Sequence, residues 1–594
     1  MSRTKIFHVA TTGSDDHPGT SGKPLRTIQR AADLAMPGDA VIVHEGLYRE
    51  RVNPPRGGES DDQRITYMAA EGEAVEIRGS EIITGWERIA ADTWKATLPN
   101  TFFGNFNPYG DVIDGEWYIE NKFPRHTGAV YLHGVWHDEA ETLEQVLAPA
   151  GDRPLWKAEV GEKDTMIWAQ FPGVDPNAEE VEINVRQSVF YPDRPGRNYI
   201  TVRGFIMRHA ATPWAGAMSE QVGLIGTHWS KGWVIEENII SHSVGTGVTL
   251  GRCALDVPMP PATAEGYVES IEQALADGWS REKIGSHVVR NNHISHCEKN
   301  GIHGSLGGIF SLIEGNMIHD IAMRGWLGGY DICGLKLLGS HDTIIRNNHI
   351  FRCGTTGGVW LDWMAQGTRM TGNLLHDNTH DLFVEVNHGP FLIDHNLFLS
   401  NRSLLDWSEG GAYVHNLFAG KMELHADPDR MTPFHKAHST ELAGMSRIAC
   451  GDDRFFNNVF SGASCSISLY DDKEEMRMTG NLYLSGAKPG RHDQDALVVA
   501  EADSGFVLKE EHGEWKLRLP AGQAWAGSSV RKMVTSNMLG TTRVSGLLYE
   551  QPDGSSYRLD VDYLGVQRTA GAIAPGPFDF PEGCNAAIKV WPKV

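Results

Sequence analysis

The chain has 594 residues, with 53 Lys and Arg against 76 Asp and Glu, a formal net charge of −23 and 41% hydrophobic residues. No basic stripe is present to track a phosphate backbone, so nucleic acid is not an expected partner, and no apolar run reaches membrane-spanning length. Seven cysteines (Cys253, Cys297, Cys333, Cys353, Cys450, Cys465 and Cys584) form no C-x-x-C pair and read as reduced core residues rather than a disulfide frame or zinc site. The segment after Met1-Ser2-Arg3-Thr4-Lys5 lacks the apolar core of a signal peptide, which makes a cytoplasmic protein the expectation.

Taken in chain order, the first predicted elements are strand, Gly-rich turn, helix and strand over residues 7 to 52. The stretch Thr27 to Ala35 is amphipathic, Pro37-Gly38-Asp39 ends it, and Ala40-Val41-Ile42-Val43 follows as a strand. Such a helix would cover the open end of a solenoid. Residues 1–79 are therefore read as a cap with the first coils. Residues 80–190, dense in Trp, Tyr and Pro, are read as an inserted β-sandwich-like module, and residues 191–594 as the main solenoid with a hairpin excursion near 504–520 and a closing segment from Ser536.

The solenoid is legible as an asparagine recurring before two apolar residues. It stands at Asn238, Asn292, Asn316, Asn348, Asn373, Asn396, Asn416, Asn458 and Asn481, with gaps of 54, 24, 32, 25, 23, 20, 42 and 23. A period in the low twenties, with some coils enlarged, predicts a parallel β-helix in which each inward asparagine bonds its copies above and below.

Alternation along one strand of each coil sorts its side chains into inward and outward sets. Aligning Gly247–Gly251, Gly301–Ser305, Gly334–Leu338, Gly358–Asp362 and Asp381–Glu385 gives two outward columns. One reads Thr249, His303, Lys336, Trp360, Phe383; the other reads Gly251, Ser305, Leu338, Asp362, Glu385. Asp362 and Glu385 are 23 residues apart, and each precedes its ladder asparagine by 11. The phrase Arg402-Ser403-Leu404-Leu405-Asp406 is expected to place Asp406 next in the second column. Neighbouring strands lie about 4.8 Å apart, which brings the two carboxylates to roughly the 5–5.5 Å of a retaining glycosidase. Stacked like charges raise one pKa, as a general acid requires, and Glu385 between two acids is best placed for that part. The same spacing also suits a held cation such as Ca²⁺ or a merely solvated acidic face. Trp360, Trp363 and Phe383 favour a sugar, whose apolar faces stack on aromatic rings.

More specific phrases carry a family resemblance. Gly223 to Trp233, Trp360-Leu361-Asp362-Trp363-Met364, Phe383 to Pro390, His435 to Thr440 and Gly451-Asp452-Asp453-Arg454 together resemble the β-xylosidases of glycoside hydrolase family 120 over nearly the whole chain. The resemblance implies a right-handed parallel β-helix interrupted by an immunoglobulin-like insert, a tetrameric assembly, no cofactor, Asp362 as nucleophile and Glu385 as acid/base. It also implies hydrolysis of terminal xylose from small β-xylosides by double displacement. The segment Tyr330 to Leu338 departs from the family pattern: Asp331 stands in place of a glutamate and Leu338 in place of a histidine, which bears on the glycone preferred.

Further expected sugar contacts are Asp331, Lys336, Trp360, Trp363, His388, His228, Trp229, His435, His438 and Asp406, with His388 a candidate to orient Glu385. Each has a bland counterpart: Lys336 as a solvated lysine, the histidines as surface or turn residues, Trp229 and Trp214 as packing. No metal ligand set is expected. A competing class is a β-helix lyase or epimerase acting on uronates through a Ca²⁺-held acid cluster, and a related glycosidase with another glycone is a second alternative.

Overall fold

The computed structural model describes residues 4–148, 150–252, 263–427, 430–499, 505–519, 531–569, 573–579 and 587–593. Cys253 and Cys584 lie outside them; the other five cysteines are free and buried. Two compact units are present: Met1–Asp256 with Ile294–His303 and Ala322–Asp331, and Val257–His293 with Gly304–Ile321 and Ile332–Val594.

The first unit opens with strand Ile6–Val9, helix Ile28–Leu34 and strand Ala40–Val43. Thr27 caps the helix, its side chain accepting from Arg30 N at 3.2 Å, and Glu50 accepts from Ile28 N and Gln29 N at 3.0 and 2.9 Å. Ile28, Ala31 and Ala32 are wholly buried, which is the apolar stripe read in the sequence. Parallel coils follow, with Ile200–Arg203 between Ile65–Ala69 and Val234–Glu236. Between the early coils stands a module of two sheets. Asp138–Glu139, Leu155–Val160, Asp164–Gln170, Thr93–Pro99 and Glu87–Ala90 form one, and Val135–Trp136, Val130–Leu132, Val181–Asn184 and Ser80–Ile82 the other. Trp86, Phe103, Tyr109, Trp156, Phe171 and Ile183 fill the space between them.

The second unit is a stack of parallel coils, with three strands to a coil up to Lys421–Leu424 and two in the coils beyond. Its asparagines bond as predicted: Asn292 Nδ2 donates to Asn316 Oδ1, Asn316 to Asn348, Asn348 to Asn373, Asn373 to Asn396, Asn396 to Asn416, Asn416 to Asn458 and Asn458 to Asn481, at 2.9–3.1 Å. Asp493 ends the ladder, accepting from Asn481 Nδ2 at 2.9 Å. The residue before each of these asparagines (Asn291, Gly315, Asn347, Gly372, His395, His415, Asn457, Gly480) has φ between 54° and 70°. That corner needs the left-handed region, which explains the Gly, Asn and His found there. Inside the coils Phe398, Phe418, Phe460 and Tyr483 stack at centroid distances of 5.1, 5.3 and 5.2 Å.

One face of this unit is a sheet of β1 (Cys333–Leu338), β2 (Val359–Asp362), β3 (Leu382–Glu385), β4 (Arg402–Trp407) and β5 (Lys421–Leu424), in that spatial order. After β5 the chain leaves the stack for an antiparallel pair, Met431–His435 with Leu442–Arg447, and returns at strand Arg454–Phe456. Near the C-terminus Val507–Glu511, Glu514–Arg518 and Ile588–Trp591 form a small antiparallel sheet packed on the stack through Leu517 and Val590.

Candidate active site

The register of β1 to β3 follows from the repeat. Leu338 stands opposite Asp362 and Asp362 opposite Glu385, while in the neighbouring outward column Lys336 faces Trp360 and Trp360 faces Phe383. Because residues two apart on a strand share a face, Lys336, Trp360, Asp362, Phe383 and Glu385 project from one surface. Val359 and Leu361 of β2, and Leu382 and Val384 of β3, fill the interior and are at most 1% exposed.

The two acids sit in different electrostatic settings. Asp362 is 5% exposed and its Oδ2 lies 3.0 Å from Lys336 Nζ. Lys336 is itself buried, with its ammonium 3.6 Å from the centroid of the Trp360 ring, so the cation is held against an aromatic face and aimed at one carboxylate. Glu385 is 8% exposed; Trp360 Nε1 donates to its Oε2 at 3.1 Å and Arg430 Nη1 to its Oε1 at 3.4 Å. Burial, then the Asp362 charge, pushes the Glu385 carboxyl up to about 8, against the opposing pull of Arg430 and Lys336. The pair thus divides into an aspartate tied to a lysine and a glutamate that favours its proton. Trp360 and Phe383 lie 4.9 Å apart and pack with Leu405 and Trp407 into an apolar strip beside them.

Several sequence expectations need correction. Asp406 does not continue the acid column: it pairs with Val384, while Trp407 pairs with Glu385. The step from Glu385 to Asp406 is 21 residues, one short of the 22-residue strand register that pairs Glu385 with Trp407, which sends Asp406 to the opposite face. There it is wholly buried, accepting from Tyr470 Oη at 2.6 Å and Tyr413 Oη at 3.1 Å. Trp363 offers no face to a sugar: it is fully buried, donates to Thr432 Oγ1 at 3.2 Å and packs edge-on to Tyr267. His388 does not orient Glu385 either. Its Nδ1 meets Glu409 Oε1 at 2.6 Å and its Nε2 the carbonyls of Thr432 and Ser446 at 3.1 Å. His435 is buried between Trp279 and His341, with Nδ1 on Thr440 O at 2.8 Å and its pKa lowered by burial to about 4. His438 bridges Asp342 and Glu550 at 2.8 and 3.2 Å. Both histidines fasten loops rather than face the carboxylates.

The remaining candidates belong to the first unit. Asp331 is 1% exposed, with Oδ2 4.0 Å from Lys299 Nζ. His228 stacks on Tyr191 and bonds Pro192 O through Nδ1 at 2.9 Å; Trp229 is nearly buried beside it in the chain. Sequence reasoning missed Arg430 altogether. It stands in an irregular excursion with no repeat to align it, so no local signal marks it. Among the described residues no group of three or more His, Cys, Asp or Glu side chains is placed to hold a metal ion, and no described helix is long and apolar enough to cross a membrane.

Comparison with known proteins adds identity to this geometry. Residues 83–183 match the family described as "Glycoside hydrolase 120, insertion domain", and residues 222–419 match "Right handed beta helix region". A solved structure of XylC in complex with xylose is 40% identical, covers 99% of this chain and 100% of its own, and superposes with a TM-score of 0.93. Pectate lyase Pel9A is 12% identical over 72% of this chain and 79% of its own, with a TM-score of 0.36. The uncharacterized protein YwoF of Bacillus subtilis (strain 168) is 36% identical over 76 residues, which span 13% of this chain and 16% of YwoF. The near-complete match to XylC, the insertion-domain match and the long parallel sheets agree, and the chain belongs to glycoside hydrolase family 120.

Proposed function

We propose that this glycoside hydrolase is a retaining exo-β-xylosidase that releases terminal xylose from short β-xylosides. The observation that carries the mechanism is the pairing of Asp362 with Glu385 across adjacent parallel strands, about 4.8 Å apart, one acid tied to Lys336 and the other buried and proton-retaining. That spacing suits direct attack by one carboxylate and leaves no room for the water of an inverting site. The likeness to XylC, solved with xylose, supports the choice of sugar.

In the first step an Asp362 oxygen bonds to the anomeric carbon as the glycosidic C–O bond breaks, and Glu385 gives its proton to the departing oxygen. In the second, Glu385 as carboxylate takes a proton from water, whose oxygen displaces Asp362 from the same carbon. Lys336, 3.0 Å from Asp362 Oδ2, holds that carboxylate in place for attack; Trp360 and Phe383 exclude water and present a flat apolar surface. The direct test is proton NMR of aryl β-xyloside hydrolysis, in which β-xylose is expected as first product; α-xylose would overturn the retaining assignment. Glu385→Ala should slow unactivated xylosides by about 10²–10⁴-fold, spare the first step of activated aryl xylosides, and regain turnover with azide. A panel of aryl β-xyloside, β-glucoside, β-galactoside and α-arabinofuranoside tests the glycone.

A further inference from the structure

Trp363, Gln366 and His388 share one destination. Trp363 Nε1 donates to Thr432 Oγ1 at 3.2 Å, His388 Nε2 meets Thr432 O at 3.1 Å, and the Gln366 amide both accepts from His435 N and donates to His435 O at 3.0 Å. Thr432 and His435 belong to Met431–His435, the first strand of the excursion that leaves the stack after β5. The residue immediately before that strand is Arg430. Trp363 directly follows Asp362, Gln366 lies on the turn behind it, and His388 follows Glu385 by three residues, so the turns that end β2 and β3 are the mounts of this arm. Thr432 is wholly buried and His435 is 1% exposed, which makes the mounting rigid.

The arm delivers one group to the acid pair. Arg430 Nη1 lies 3.4 Å from Glu385 Oε1, and its guanidinium stands 5.7 Å from the Tyr267 ring centroid. Tyr267 comes from helix Ala264–Ala276 and packs on Trp363 at 4.9 Å, so the same tryptophan that mounts the arm also backs the ring over Arg430. A distance of 3.4 Å is longer than the roughly 2.7–2.9 Å of a committed charge-assisted bond, which fits a partner that loses and regains its charge in each turnover.

We propose that Arg430 is a positioning residue for the reaction, held by the excursion arm so that its charge meets Glu385 as that side chain gives up its proton to the leaving group. This rests on the assignment of Glu385 as acid/base. Among the described residues the charged side chains acting on Glu385 are Asp362 from β2, Lys336 from β1 and Arg430 from the arm; on the far side β4 presents Trp407, tilted against His425 at 4.5 Å. Among the described residues Lys336 is held in the 3.0 Å pair with Asp362, whereas Arg430 meets Glu385 directly at 3.4 Å. Removing it should make Glu385 a weaker acid, protonated to higher pH and slower to become the base of the second step.

The test is the pH profile of kcat/KM on an aryl β-xyloside for the full chain, Arg430→Met and Arg430→Lys, each also in the Glu385→Gln background. The expected result is an alkaline limb shifted upward by about one pH unit in Arg430→Met, an intermediate position in Arg430→Lys, and no alkaline limb in any of the three Glu385→Gln variants. A limb that stays in place in Arg430→Met, whatever happens to turnover, overturns the role of Arg430. A limb that persists with Glu385→Gln overturns the acid/base assignment instead. If Arg430→Met does not fold, Arg430→Lys decides, since a purely structural arginine would leave the limb unmoved.

Discussion

The asparagine corner and the acid-bearing sheet of the second unit are built from the same coils but are used in opposite ways. At the corner every coil carries the same residue making the same bonds at 2.9–3.1 Å, from Asn292 to Asn481. On the acid sheet every coil differs: one outward column runs Lys336, Trp360, Phe383, Leu405, and the other Leu338, Asp362, Glu385, Trp407. Repetition fixes the spacing of the coils, and that fixed spacing lets two unlike carboxylates be held a strand apart with little freedom. The corner supplies geometry; the sheet supplies chemistry.

If that division is right, changes on the sheet should remove activity and leave the fold, and changes at the corner should do the reverse. The largest effect is expected for Asp362→Asn, which should lower kcat on an aryl β-xyloside roughly 10⁴-fold or more with an unchanged circular dichroism spectrum. Retention of a tenth of the activity would break the comparison. Next comes Asn373→Ala at the corner. It removes the buried side-chain bonds that Asn373 makes with Asn348 N and Nδ2, Ile345 O and Asn396 Oδ1, and should destabilise the chain by about 2–4 kcal/mol in thermal or denaturant melts, with turnover per folded molecule retained. Asp406→Asn tests the interior placement of that acid. An interior acid bonded by two tyrosines should affect melting, by about 1–3 kcal/mol, and leave kcat/KM alone. A kinetic defect without a stability change would return Asp406 to the site.

A separate effect concerns how the stability of the site depends on pH. Glu385 is raised to about 8 in the fold, against about 4.3 for an unfolded chain, so the native state binds its proton more tightly. Its contribution to stability is therefore complete below about pH 4 and declines as pH rises toward 8. Glu385→Gln has no such decline. It should melt at the same temperature as the parent near pH 4 and progressively above it up to pH 8, and a constant difference across that range would contradict the burial argument.

Much of this was legible before any coordinates. The ladder spacing gave the fold, and the equal offset of Asp362 and Glu385 from Asn373 and Asn396 gave their register. Trp360 and Lys336 followed from the same columns, although the burial of Lys336 and its ion pair with Asp362 did not. The alignment failed where coil length changed. A shortened coil reversed Asp406, and nothing periodic governs His388, His435 or Arg430, which depend on an excursion that folds back over the sheet. Trp363 misled for a related reason: an aromatic beside an outward carboxylate suggests stacking, but its φ of 37° places it in a turn and its buried ring holds the arm.

By itself, then, the sequence determined the repeat, the inward and outward faces and the adjacency of the two carboxylates, because a parallel stack of coils converts residue counting directly into distance. Tertiary structure alone decided that Asp362 is paired to a buried lysine and that Glu385 is buried beside Arg430. Those properties depend on burial and on charges brought from distant segments, and no local spacing encodes either.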